Sequence, residues 1–145
     1  MKIICDNKRD ARNYEIIEKV ECGMELQGWE VKSARANKIS LNNSYCSIYK
    51  GEMFLKDAYF GQYMLVKADE YRDRKLLLHK REIQQLKFDS EAKQLTIIPL
   101  KMYFNKQSKI KLEIALARGL KKHDKRQAII KREEDKKIRK IMQNY

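Results

Sequence analysis

One proline, five glycines, one tryptophan, two histidines and three cysteines are spread over 145 residues, and each scarcity removes a class of function. Cys5, Cys22 and Cys46 are odd in number and lack the short Cys or His intervals of a zinc site. They read as reduced, partly buried thiols of a cytosolic protein, where disulfides do not persist. Neither His79 nor His123 accompanies a serine or cysteine nucleophile in a recognisable turn motif. His123 beside Asp124 has the makings of an oriented base, but on so basic a stretch it reads as solvated or phosphate-contacting. Gly23 and Gly28 match neither a phosphate loop nor a dinucleotide fingerprint. No enzyme activity, metal or cofactor is expected. No apolar run approaches the roughly 18 residues of a membrane span, and residues 1–12 lack a signal peptide's apolar centre. The expected location is the cytoplasm, with no membrane partner.

What is abundant is positive charge. Thirty-three Lys and Arg against 20 Asp and Glu leave a net +13 and a pI near 9.6, a field that attracts polyanions. Nucleic acid is the first expectation and an anionic membrane surface the second. The charge is uneven, for residues 120–145 hold ten basic and four acidic side chains. The expected organisation is therefore a folded body over residues 1–119 and a basic C-terminal arm over 120–145, parted at Gly119. A body of this size buries roughly two-thirds of the surface its unfolded chain exposes.

Residues 112–126 organise the chain. Ile110, Leu112, Ile114 and Leu116 alternate with Lys109, Lys111, Glu113 and Ala115, the period of a strand with one buried face. Further strands are expected at 14–20 and 95–104, with a hairpin at 45–49 and 53–59 around Lys50, Gly51 and Glu52. Pro99 cannot donate to a ladder and belongs at an edge or a bulge. Val31 and Ala34 share a helical face, Glu30 suits that helix's N-terminal dipole, and Asn37 is a left-handed stop. Ile83 and Leu86 imply a brief second helix. Residues 1–13 read as a polar, mobile lead-in, and residues 61–74 as a charged, mobile loop. Five or six short strands with two or three short helices imply a mainly β fold: a small antiparallel barrel of the oligonucleotide-binding type, carrying the basic arm.

Basic residues interleave with aromatics, Arg12 near Tyr14, Lys32 and Arg35 near Trp29, and Lys50 amid Tyr45, Tyr49 and Tyr59. Such sets stack unpaired bases and hold phosphates. Phe54, Phe60 and Tyr103 read instead as core. In the arm, Ile130, Ile138, Ile141 and Met142 form an apolar stripe, so the arm is expected to be largely disordered alone and helical in a negatively charged groove. A solvated coil or a helix packed on the barrel is the alternative. From the residues alone, a specific RNA adaptor and a general single-strand RNA chaperone of cold-shock type both remain open.

Four blocks carry a sharper signal: QGWEVKSARANKISLNNSY at 27–45, RKLLLHKREI at 74–83, IPLKMYF at 98–104 and ALARGLKKHDKR at 115–126. In their order and spacing they resemble the SsrA-binding protein (SmpB) family, from about Asn7 to the end. The resemblance implies a monomer that binds the tRNA-like domain of transfer-messenger RNA. That complex would enter the decoding site of stalled ribosomes with elongation factor Tu, the arm lying along the vacant mRNA path. It implies an RNA-facing set of Glu21, Gly23, Lys32, Arg35, Arg74, Lys75, Leu77 and Lys111. It implies ribosome engagement by Gly119, His123, Asp124, Lys125, Arg126, Ile141 and Met142. Glu21 would be useful on a basic RNA face only as an acceptor from base or ribose donors, and its alternative is a pair with a neighbouring lysine. Three positions depart from the family pattern: Glu134 stands where some relatives have tryptophan, the 61–74 loop is short and lacks a proline, and Asn37 replaces a common glycine.

Overall fold

The alternating run before Gly119 forms β9 (Ile110–Gly119), and it is paired along both edges. One edge runs antiparallel to β2 (Tyr14–Met24), from Tyr14 opposite Gly119 to Gly23 opposite Lys111. The other runs antiparallel to β8 (Thr96–Phe104), from Thr96 opposite Ala117 to Phe104 opposite Ile110. The computed structural model describes residues 2–64 and 67–120. Within them the remaining elements are β1 (Lys2–Asp6), α1 (Lys8–Ala11), α2 (Gly28–Arg35), β3 (Ile39–Ser40), β4 (Tyr45–Tyr49), β5 (Glu52–Lys56), β6 (Tyr59–Phe60), β7 (Arg74–Leu77) and α3 (Lys80–Ala92).

The main sheet follows the order β1-β8-β4-β5-β7-β2-β9, and the β8–β9 pairing closes it on itself. Since β9 takes one edge of β8, the other is shared by β1 along residues 101–104 and β4 at Ile97. The result is a mainly β, antiparallel barrel with helices around it, as expected. Its interior holds Leu112, Ile114 and Leu116 of β9 with Cys22, Met53, Leu55, Leu76 and Met102, each fully buried Leu or Ile side chain contributing about 1.5–3 kcal/mol. A second, smaller cluster lies on the other face, where Ile98, Ala115 and Ala117 are buried beneath Tyr14, Ile16 and Leu100.

Several expectations are corrected. Residues 2–11 are structured: β1 pairs with β8, Ile4 is buried, and Asn7 donates its side-chain amide to the Pro99 carbonyl at 2.9 Å and its backbone N–H to Leu100 at 2.8 Å. A register shift between Ile3 and Cys5 interrupts the alternation that would have marked this strand. The helix holding Ile83 and Leu86 runs 13 residues. The hairpin turn is only Lys50 and Gly51, at φ 50° and 76°, and Glu52 is already in β5; the positive φ of both residues matches the right-handed twist of the strands. Pro99, as expected, falls at a bulge, where the β8–β9 register shifts between it and Lys101. Asn37 is left-handed as expected, at φ 57°.

Residues 61–73 contain no helix or strand among those described, but this stretch is anchored. Gly61 N–H donates to the Lys38 carbonyl at 2.7 Å, Phe60 N–H to Glu70 O at 2.9 Å, and Gln62 N–H to the Glu70 carboxylate at 3.0 Å.

Candidate nucleic-acid interface

β2, β9 and β8 lie side by side, so their outward residues form a grid. Glu21, Glu113 and Lys101 make one row and Gly23, Lys111 and Tyr103 the next but one; the row between, Cys22, Leu112 and Met102, points into the barrel. On its other side Gly23 pairs with Leu77 of β7. The strand period thus puts Glu21, Gly23, Leu77 and Lys111 on one surface. That surface is an open groove of about 510 Å3, lined also by Lys75, Gly51, His79 and Lys80. A neighbouring groove of about 440 Å3 shares Gly23, Leu77 and Lys111 and brings in Arg35 from α2 with Lys109. Six of the eight residues expected to face RNA therefore meet along one continuous surface.

Glycine at position 23 keeps the ridge between the two grooves low. A Cβ there would stand 3.4 Å from Leu77 Cβ and 3.7 Å from Lys111 Nζ. Leu77 is left half exposed, an apolar surface beside cations of the kind on which a base or ribose can rest. Lys75 reaches Glu52 at 3.2 Å, but both side chains are well solvated, so the pair is weak and the ammonium stays available.

The other two expected residues are placed differently. Lys32 is exposed on α2, its Nζ 5.6 Å over the Tyr63 ring, and borders neither groove. Arg74 is a correction: its side chain is wholly buried and cannot face RNA. Its guanidinium pairs with the Glu30 carboxylate, donates to the carbonyls of Ala58 at 2.7 Å and Glu70 at 3.0 Å, and stacks 4.0 Å from the Phe60 ring centroid. Burial lowers its pKa while Glu30 opposes that shift. Glu30 also accepts from Arg72 at 2.5 Å and from the backbone N–H of Gln27 at 2.7 Å, where it caps α2. Arg74 opens β7 one residue before Lys75, so the strand period turns it inward.

Glu21 is exposed, and its hydrogen-bond partner among the described residues is the hydroxyl of Tyr103 rather than a lysine. Burial first, then this bond to a carboxylate, push the Tyr103 phenol above its ordinary pKa. Glu113, opposite Glu21 in the ladder, lies 4.0 Å from Lys101 Nζ. Tyr103 is buried as expected, yet it touches the groove's one predicted acid. Sequence reasoning also missed His79 and Lys80 as lining residues, although only Leu78 separates them from Leu77 at the entry to α3.

The thiols are free. Burial raises Cys5 and Cys22 to about 12 and Cys46 well above the ordinary 9.0. Among the described residues no cluster of His, Cys, Asp or Glu is arranged to hold a metal, and no helix is long and apolar enough to cross a membrane. Gly119 is exposed at the end of β9; His123, Asp124, Lys125, Arg126, Ile141, Met142 and Glu134 lie outside the described residues.

A family model described as "SmpB protein" matches residues 4–144. The chain is 56% identical over 142 residues to an SsrA-binding protein of Mycoplasmopsis synoviae, covering 98% of this chain and 99% of that one. It is 58% identical over 147 residues to an SsrA-binding protein of Mycoplasmopsis fermentans, covering 99% of each. A chain in a solved structure named "tmRNA-SmpB: a journey to the center of the bacterial ribosome" superposes with a TM-score of 0.68 at 39% identity, over 86% of this chain and 93% of that one.

Proposed function

Because the chain belongs to the SmpB protein family, we propose that it binds the tRNA-like domain of transfer-messenger RNA and delivers that RNA to stalled ribosomes for rescue. The observation that carries this reading to particular side chains is the continuous grooved surface on which Glu21, Gly23, Arg35, Lys75, Leu77 and Lys111 converge. It combines what RNA recognition needs: cations for phosphates, an apolar surface for a base or ribose, and a carboxylate that accepts from amino groups or a 2′-hydroxyl. In this reading the body, residues 1–119, recognises the RNA, and the segment 120–145 serves the ribosome. Gly119, His123, Asp124, Lys125 and Arg126 engage the decoding site, and Ile141 and Met142 the mRNA path. The protein acts as a cytoplasmic monomer, without chemistry of its own, in company with elongation factor Tu.

Binding of the full chain to a tRNA-like domain, an ordinary tRNA and an unstructured RNA across a salt series tests the first half. Non-specific phosphate binding falls steeply with salt, while hydrogen-bond and shape readout keeps a preference among RNAs. The expected result is a more than tenfold preference for the tRNA-like domain, maintained at physiological salt. Equal affinities would reduce the protein to a charge-driven RNA binder of the chaperone type. For the second half, the double variant Lys125→Ala, Arg126→Ala is expected to keep this RNA affinity and to lose peptide tagging on stalled ribosomes. Parallel loss of both would break the division of labour.

A further inference from the structure

Tyr103 presents an arrangement that core packing alone does not require. Its ring is buried, and a buried phenol needs an acceptor. It does not take one from the backbone beside it. Its side chain reaches from β8 across β9 to Glu21 on β2, two inter-strand spacings of roughly 4.8 Å, and ends on a carboxylate at the rim of the groove. Gly23 and Lys111 stand in its own row, so the bond runs along the outer face of the wall from a covered ring to the surface where Leu77 and Lys111 line the groove.

We propose that Tyr103 is a positioning residue for RNA recognition, its hydroxyl fixing the Glu21 carboxylate so that the remaining acceptor sites face the groove. This rests on the reading of Glu21 as an RNA-facing acceptor and extends it to the residue that orients it. A tyrosine suits the task better than a lysine. A neutral donor holds the carboxylate without cancelling its charge, and it occupies one of about four acceptor positions. The negative charge that remains repels a misplaced phosphate while accepting from an amino group or 2′-hydroxyl, so the pair discriminates among RNAs rather than adding general affinity. Glu113 does not compete for the hydroxyl, because it lies toward Lys101. Without the hydroxyl, Glu21 regains its rotamer freedom, which binding must then remove.

The experiment is a double-mutant cycle on the full chain with Tyr103→Phe and Glu21→Ala, read as affinity for the tRNA-like domain, an ordinary tRNA and an unstructured RNA at three salt concentrations. Tyr103→Phe keeps the ring and removes one atom. It is expected to weaken the tRNA-like domain by about 3- to 10-fold, to leave unstructured RNA and the salt slope unchanged, and to cost less than about twofold more once Glu21 is alanine. Additive losses, or equal losses on every RNA accompanied by a lower melting temperature, would show Tyr103 to be structural and overturn the proposal. If Glu21→Ala removes the RNA preference and Tyr103→Phe does not, the proposal alone falls. If Glu21→Ala leaves the preference intact, the role of Glu21 falls and takes the proposal with it. Glu21→Asp guards against misfolding of the Tyr103 variant: it draws the carboxylate back from an intact Tyr103 and is expected to lose the same preference. Full retention there also overturns the proposal.

Discussion

Glu30 and Arg74, 44 residues apart in sequence, bury their opposite charges against one another, neither side chain retaining any exposed surface. The pair joins the first turn of α2 to the start of β7, and Arg74 also holds the Ala58 carbonyl, just before β6, and the Glu70 carbonyl, within the irregular stretch. Removing one partner of a buried pair costs about 3–5 kcal/mol where the other charge is left uncompensated, and because Arg72 still reaches Glu30 the loss of Arg74 falls at the lower end of that range. Arg74→Ala is therefore expected to lower the urea midpoint by that free energy divided by the slope, with the slope itself unchanged. The RNA preference of the folded fraction should survive, since Arg74 does not line either groove. A stable Arg74→Ala protein with weakened RNA binding would reverse the assignment made from its burial.

Lys111 borders both grooves and is expected to meet phosphate. Lys111→Ala should weaken every RNA by a similar factor and reduce the slope of log affinity against log salt by about one. Glu21→Ala should do the reverse, altering preference with little change of slope. Filter binding or anisotropy at four salt concentrations separates the two behaviours. A sequence-dependent effect at Lys111 would mean that it reads bases.

Gly61 is the glycine where added bulk has nowhere to go. A Cβ at this position would lie 2.9 Å from Lys38 Cβ and 3.0 Å from the Lys38 carbonyl oxygen, the same oxygen that accepts the Gly61 N–H at 2.7 Å. Gly61→Ala must strain or break that bond and is expected to cost about 1–3 kcal/mol, measured by thermal or urea denaturation. Gly28→Ala, with open space around its Cβ and a place in the first turn of α2, should be neutral or slightly stabilising.

The thiols give the pH dependence. Burial lifts Cys5 and Cys22 from 9.0 to about 12 and raises Cys46 in the same sense. Their folded pKa values lie above the unfolded ones, so the native state holds protons that the unfolded state releases in alkali. Their stabilisation is complete below pH 9 and declines as pH rises from there toward 12. The urea midpoint should fall between pH 8 and pH 10.5, and Cys46→Ala should flatten that decline. Iodoacetamide at pH 8 is expected to label the native protein far more slowly than the protein in urea, because the thiolate is the nucleophile. Rapid native labelling would mean that the barrel opens around these sites.

Much of the barrel was legible because β9 alternates cleanly and the turn residues Asn37, Lys50 and Gly51 sit where positive φ is required. β1 was not, since its bulge breaks the period of two and its flanking Lys2, Asp6 and Lys8 resemble a solvated tail. The groove was legible largely through the family resemblance. Composition gives a basic protein, but only strand register brings Glu21, Gly23, Leu77 and Lys111 together across residues 21–111. Arg74 was misassigned, and the bond from the correctly expected core residue Tyr103 to Glu21 went unforeseen, for one reason. Residue type suggests where a side chain belongs on average, whereas a buried Arg with a buried Glu, or a core Tyr ending on a surface carboxylate, depends on partners distant in the chain.

The pairing of β2 with β9 also governs when the molecule can form. Residues 14–24 must wait for residues 110–119, and β8 likewise lacks the neighbour along its whole length until the same segment arrives. Contacts separated by most of the chain make folding slow and cooperative, because loop closure precedes any return from the contacts it allows. During synthesis the body therefore cannot close before Gly119 has cleared the exit tunnel. A translation product cut short inside β9 would expose the edges of β2 and β8 together, an open, aggregation-prone sheet rather than a smaller barrel.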